Sequence, residues 1–105
     1  MDRTIKLMAD YGCHPLWAAD GDGTRNVSPE ELPLSVELSA ALAAWARAFD
    51  ATLNSDYPPD SGFRSAAEEN DFDAEGHRLW AELRAQLGGA YRVVYFSARA
   101  SRLLE

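Results

Sequence analysis

A single cysteine, Cys13, is all the thiol chemistry that 105 residues contain. No disulfide can close within the chain, so its stability has to come from packing, and this cysteine usage fits a reducing compartment. The cytoplasm is the expected location. Long apolar runs are also missing: nothing approaches the roughly 20 residues that cross a bilayer, and the opening MDRTIKLMAD has no apolar segment of the signal-peptide kind. With only two histidines, His14 and His77, the paired Cys/His spacing of structural zinc cannot arise. There is no glycine-rich phosphate loop, no GxSxG and no HExxH. No cofactor is therefore expected. Basic residues are scarce as well, 10 against 17 acidic ones, for a net charge of −7. Such a field repels the phosphates of nucleic acids and membranes and attracts basic protein surfaces.

What is present is the composition of an ordinary globular protein. The apolar fraction is 47 %, with three Trp, four Tyr and four Phe. That is enough for one packed core, and residues 1–105 read as a single domain. The charge is unevenly placed, with −3 over residues 1–34, −7 over 35–75 and +3 over 76–105. The negative pole spans the middle of the chain.

Hydrophobic periodicity predicts the elements. Thr4–Ala9 alternates Ile5, Leu7 and Ala9 against Lys6 and Met8, as a half-buried strand does. Gly12 marks a turn, and His14–Ala19 returns as a short strand that Pro15 confines to an edge or a strand start. Asp20–Pro33 has loop composition, relieved by one helical turn capped at Ser28-Pro29. From Ser35, the residues Leu38, Leu42, Trp45, Phe49 and Leu53 mark one face of a helix that ends at Asn54-Ser55-Asp56. After the turn-rich SDYPPDSGF, a second helix opens at the capping box Ser65–Glu68, or near Asp71. It repeats the pattern with Phe72, Gly76, Leu79, Leu83 and Leu87. Gly88-Gly89 is expected to provide a left-handed stop. Tyr91–Phe96 is β-branched and aromatic, a strong strand, and SARASRLLE either extends it or turns. The order β-β-α-α-β predicts a two-layer α+β domain, a sheet of about three strands covered on one face by two amphipathic helices, with the first and last strands paired in the middle. Its open edges offer a route to a homodimer.

The stretch DYGCHPLWAADGDGTRNVSPEE concentrates polar chemistry. Counted from Asp20, the oxygens of Asp20, Asp22, Thr24, Asn26, Ser28 and Glu31 take positions 1, 3, 5, 7, 9 and 12 of a calcium loop. Arg25, however, stands where the sharp bend needs glycine, and the preceding segment reads as strand where a calcium hand needs a helix. A Cys13–His77–Asp73 nucleophilic arrangement would require the fold to bring turn and helix together. A small metal-dependent or small-molecule enzyme using the Asp10–His14 turn with Asp20 and Asp22 remains the alternative reading. A turn leaving a strand is the simpler one.

Two features stand above this background. The acidic block Glu68, Glu69, Asp71, Asp73 and Glu75 exceeds what helix-dipole complementarity needs, since that effect fades within the first turn. The loop from Tyr57 to Phe63 sets aromatics beside two prolines and Asp60. Together Asp56, Tyr57, Asp60, Phe63, Glu68, Glu69, Asp71, Asp73 and Glu75 are the expected partner-binding residues. The phrases DYGCHPLW, LPLS and LAAWARAFDATLNSDYPPDSGF resemble a family of small uncharacterised bacterial proteins, particularly of high-GC actinobacteria, through most of the chain up to the second helix. That resemblance implies no activity, substrate or catalytic residue. In size and charge the chain also looks like immunity and antitoxin proteins, which cover a basic toxin. The expectation is a non-enzymatic, acidic interaction protein that inhibits a basic partner.

Overall fold

The computed structural model describes residues 3–20, 23–54, 56–57 and 61–105. Its elements are strands β1 (Arg3–Leu7), β2 (Leu16–Asp20) and β3 (Gly23–Val27), a 3-10 turn (Pro29–Glu31), helices α1 (Val36–Asp50) and α2 (Ala66–Leu87), and strands β4 (Tyr91–Ser97) and β5 (Arg102–Leu104). The class is α+β, but the sheet has five strands in the order β3-β2-β1-β4-β5, where three were expected. Both additional strands lie at the edges. β3 falls inside the segment read as loop. Its sequence GTRNV contributes one buried apolar side chain, Val27, so no alternation announces it. β5 follows a four-residue turn in which Ser101 takes a φ of 54°, and it pairs antiparallel with β4 over three residues only. Tertiary pairing, not local preference, makes these two segments strands.

β1 occupies the centre. It pairs antiparallel with β2 and parallel with β4, so Ile5 lies between Ala18 and Val93, and Leu7 between Leu16 and Tyr95. Facing residues share a side of the sheet. This side carries the core: Ile5, Leu7, Leu16, Val27, Val93 and Tyr95 pack with Leu38, Leu42 and Trp45 of α1 and Phe72, Leu79, Leu83 and Leu87 of α2. Lys6, Trp17 and Phe96 point to the opposite side, where the Trp17 indole N–H donates to the Met8 carbonyl at 3.0 Å.

Serine caps start both helices, Ser35 accepting from the Leu38 N–H and Ser65 from the Glu68 N–H at 3.1 Å. The Ser65 cap places the start of α2 at Ala66 and not near Asp71. At its far end Gly88 is right-handed, with φ −58°, and donates to the Arg84 carbonyl, so the expected left-handed stop is not used. Gly12, with φ 71°, does need its freedom. It lets the β1–β2 turn lie against the end of α1: its N–H donates to Asp50 at 3.1 Å, Tyr11 stacks on Phe49 at 4.5 Å, and the Tyr11 hydroxyl meets that of Thr52 at 2.7 Å.

Candidate functional site

Beside the core, α1 and α2 leave a groove of about 490 Å³ between them. One wall is a line of alanines, Ala41, Ala44 and Ala48 on α1 and Ala51 at its C-cap, at steps of three, four and three. The opposite wall carries Glu68, Asp71 and Glu75 of α2, at steps of three and four. Trp45 and Phe72 form the floor, stacked at 4.5 Å and 9° between planes, with the indole N–H donating to the Phe72 carbonyl at 3.0 Å. Phe63 closes one end against Phe72, ring to ring at 5.1 Å. Small side chains keep the groove open, because nothing longer than a methyl projects from the α1 wall. The rigid aromatics beneath it cannot swing out to fill it.

The carboxylates of α2 divide into two sets. Glu68, Asp71 and Glu75 share the flank that faces the groove. Among the described residues no basic side chain pairs with Glu68 or Asp71. Glu75 is held by Arg78 through two contacts of 2.7 Å, which draw its carboxyl below the usual range. Asp73 lies on the other flank, with Glu69 one turn before it. Its Oδ1 accepts the hydroxyls of Tyr95 at 2.7 Å and Ser97 at 2.8 Å, and its Oδ2 lies 3.4 Å from His77 Nε2. Burial pushes the Asp73 carboxyl up, but the two hydroxyl donors, with His77 and Arg99, outweigh it and hold the group below its ordinary value. Burial and the adjoining carboxylate raise the Tyr95 phenol well above its own. Asp73 thus ties α2 to β4 across the core. Gly76 makes that approach possible, since a Cβ there would stand 2.3 Å from the Tyr95 hydroxyl.

Of the expected partner-binding residues, the structure brings Phe63, Glu68, Asp71 and Glu75 to one groove. Asp56 and Tyr57 lie on the loop beyond the C-terminus of α1, both exposed, their N–H groups donating to the Asn54 side chain. Asp60 lies outside the described residues. The alanine wall was missed by sequence reasoning because alanine reads as helix filler; its 3-4-3 spacing beside the apolar stripe was the available signal.

The polar stretch near the N-terminus is largely occupied with building the hairpin. Asn26 clamps the returning chain, accepting from the His14 N–H and donating to the carbonyls of His14 and Leu16. Ser28 and Glu31 form a capping box around the 3-10 turn, and Glu31 also takes Arg25 at 3.0 Å; the Ser28 N–H first, then Arg25, lower its carboxyl. Thr24 is an exposed strand residue. Asp22 and the Asp20 side chain lie outside the described residues. No cluster of three His, Cys, Asp or Glu side chains able to hold a metal forms among the described residues. The Cys13 thiol donates to the Tyr11 carbonyl at 3.5 Å, whereas Asp73 and His77 are engaged where α2 meets β4. No helix among them is long and apolar enough to cross a membrane.

No curated protein matches the chain. A model of the family described as Serratia CdiI immunity protein-like matches residues 3–98, nearly the whole fold, and the chain belongs to that family.

Proposed function

We propose that this member of the Serratia CdiI immunity protein-like family acts in the cytoplasm as a stoichiometric inhibitor, neutralising a basic toxin by covering it with its acidic helical face. Membership in an immunity family implies a toxin as binding partner. The single observation that supports the surface is the α1–α2 groove, an apolar floor beside Glu68 and Asp71, which among the described residues have no basic side chain paired with them. Apolar area at the centre with charge at the rim is how tight protein interfaces are built. Uncompensated charge of one sign speeds encounter with a partner of the other. Asp56 and Tyr57 extend this surface past the end of α1, and Tyr57, 58 % exposed, is an aromatic anchor of the kind that dominates binding energy. The edges of the sheet at β3 and β5 are the surfaces through which a second copy would pair, and light scattering reads that state.

Affinity capture at low and high salt, read by mass spectrometry, identifies the toxin. Growth of cells producing that toxin then measures protection. Wild-type chain is expected to restore growth, and the variant Glu68→Lys/Asp71→Lys/Glu75→Lys to lose most of the protection while keeping its fold. Full protection by that folded variant rules the acidic face out.

A further inference from the structure

We infer that the α1–α2 groove receives one α-helix of the partner, apolar and small-residued along one stripe and carrying Lys or Arg along the next. This rests on the reading of the acidic face as the toxin-binding surface and specifies what sits there. Charge complementarity sets the chemistry of the occupant. Glu68 and Asp71 attract cations, since among the described residues neither has a basic side chain paired with it, and Glu75, which shares its charge with Arg78, continues the wall.

The spacing sets its secondary structure. The carboxylates stand three and four residues apart on α2, which puts them at rises of about 4.5 Å and about 6 Å along the axis. Cations at i, i+3 and i+7 of a helix laid alongside repeat at those same rises. The same-face repeat of a strand, about 6.6 Å, drifts out of step over the three positions. The alanine wall has the matching character. Ala44, Ala48 and Ala51 project only methyl groups, so a third helix can approach to about 8 Å between axes and rest on the Trp45–Phe72 floor. A small polar ligand is a poor fit, because among the described lining residues the charged groups all lie on one wall.

The test uses the full chain and two fluorescein-labelled peptides of about 20 residues, long enough to hold a helix. One carries lysines at i, i+3 and i+7 beside an alanine–leucine stripe; the other has the same composition in scrambled order. Anisotropy is expected to show the periodic peptide bound at least about tenfold more tightly, with that preference abolished by Ala48→Phe, which blocks the groove from an exposed position. Equal binding of both peptides overturns the helix and leaves only charge attraction. The toxin-protection assay separates the two claims. Folded Ala48→Phe is expected to lose protection along with the charge-reversed variant. Protection retained by Ala48→Phe but lost by charge reversal sinks the helix while the acidic face stands. Protection retained by both sinks the face and the helix together.

Discussion

Asp71 and Asp73 stand two residues apart on α2, and the roughly 200° between them sends one carboxylate toward the groove and the other toward the sheet. Asp71 is exposed and without a basic partner among the described residues, so its charge projects outward. Asp73 is spent inside the molecule on two hydroxyls and an imidazole. The core stripe of Phe72, Gly76, Leu79 and Leu83 runs between the two flanks. One acidic block in the sequence is therefore two sets, one that holds the helix to the sheet and one that faces the open groove. Carboxylate density alone says nothing about which is which.

The sharpest way to break the inner set is at its closest approach. Gly76→Ala should destabilise by about 3 kcal/mol, because the methyl enters the space of the Tyr95 hydroxyl and forces α2 away from β4. Chemical denaturation measures this. Asp73→Ala should cost about 2 kcal/mol by leaving the Tyr95 and Ser97 hydroxyls without their acceptor. Its pH signature is distinct. Since the Asp73 carboxyl is lowered in the folded chain, its stabilisation is complete above its ordinary value of 3.8 and is lost as pH falls through the folded value. Asp73→Asn, which retains an acceptor but does not titrate, should flatten that part of the acid limb in a melting series from about pH 7 to about pH 2.

The outer set should respond in the opposite way. Glu68→Lys/Asp71→Lys should cost no more than about 1 kcal/mol, most of it from placing a cation in the first turn of α2, yet slow toxin association about tenfold at low salt with little effect at high salt. Stopped-flow mixing at two ionic strengths decides this, and an unchanged rate would dissolve the distinction between the two flanks. The smallest effect belongs to Glu75→Gln. Water screens the exposed Glu75–Arg78 pair, so melting should scarcely move.

The two layers were legible in the sequence to very different degrees. Both helices could be read from Leu38, Leu42 and Trp45 and from Phe72, Leu79 and Leu83, because burial against a sheet imposes a 3.6-residue period that survives in one dimension. β1, with its apolar alternation, and β4, with its β-branched and aromatic run, were equally plain. β3 and β5 were not, since edge strands bury little and form only because β2 and β4 offer open hydrogen-bonding edges to GTRNV and RLL. Four members of the candidate site, Phe63, Glu68, Asp71 and Glu75, were named from composition, but the alanines facing three of them were not. A groove is a relation between two helices, and neither helix records it alone.

The sequence by itself determined the negative pole, the two amphipathic helices and the absence of any disulfide framework, since charge count, periodicity and cysteine number are local properties of the chain. Only the tertiary structure decided that Asp73 turns inward while Asp71 faces out, and that the alanines of α1 stand opposite the carboxylates of α2. The reason is geometric: a side chain's role is set by what is packed across from it, and that neighbour here lies on another element of the fold.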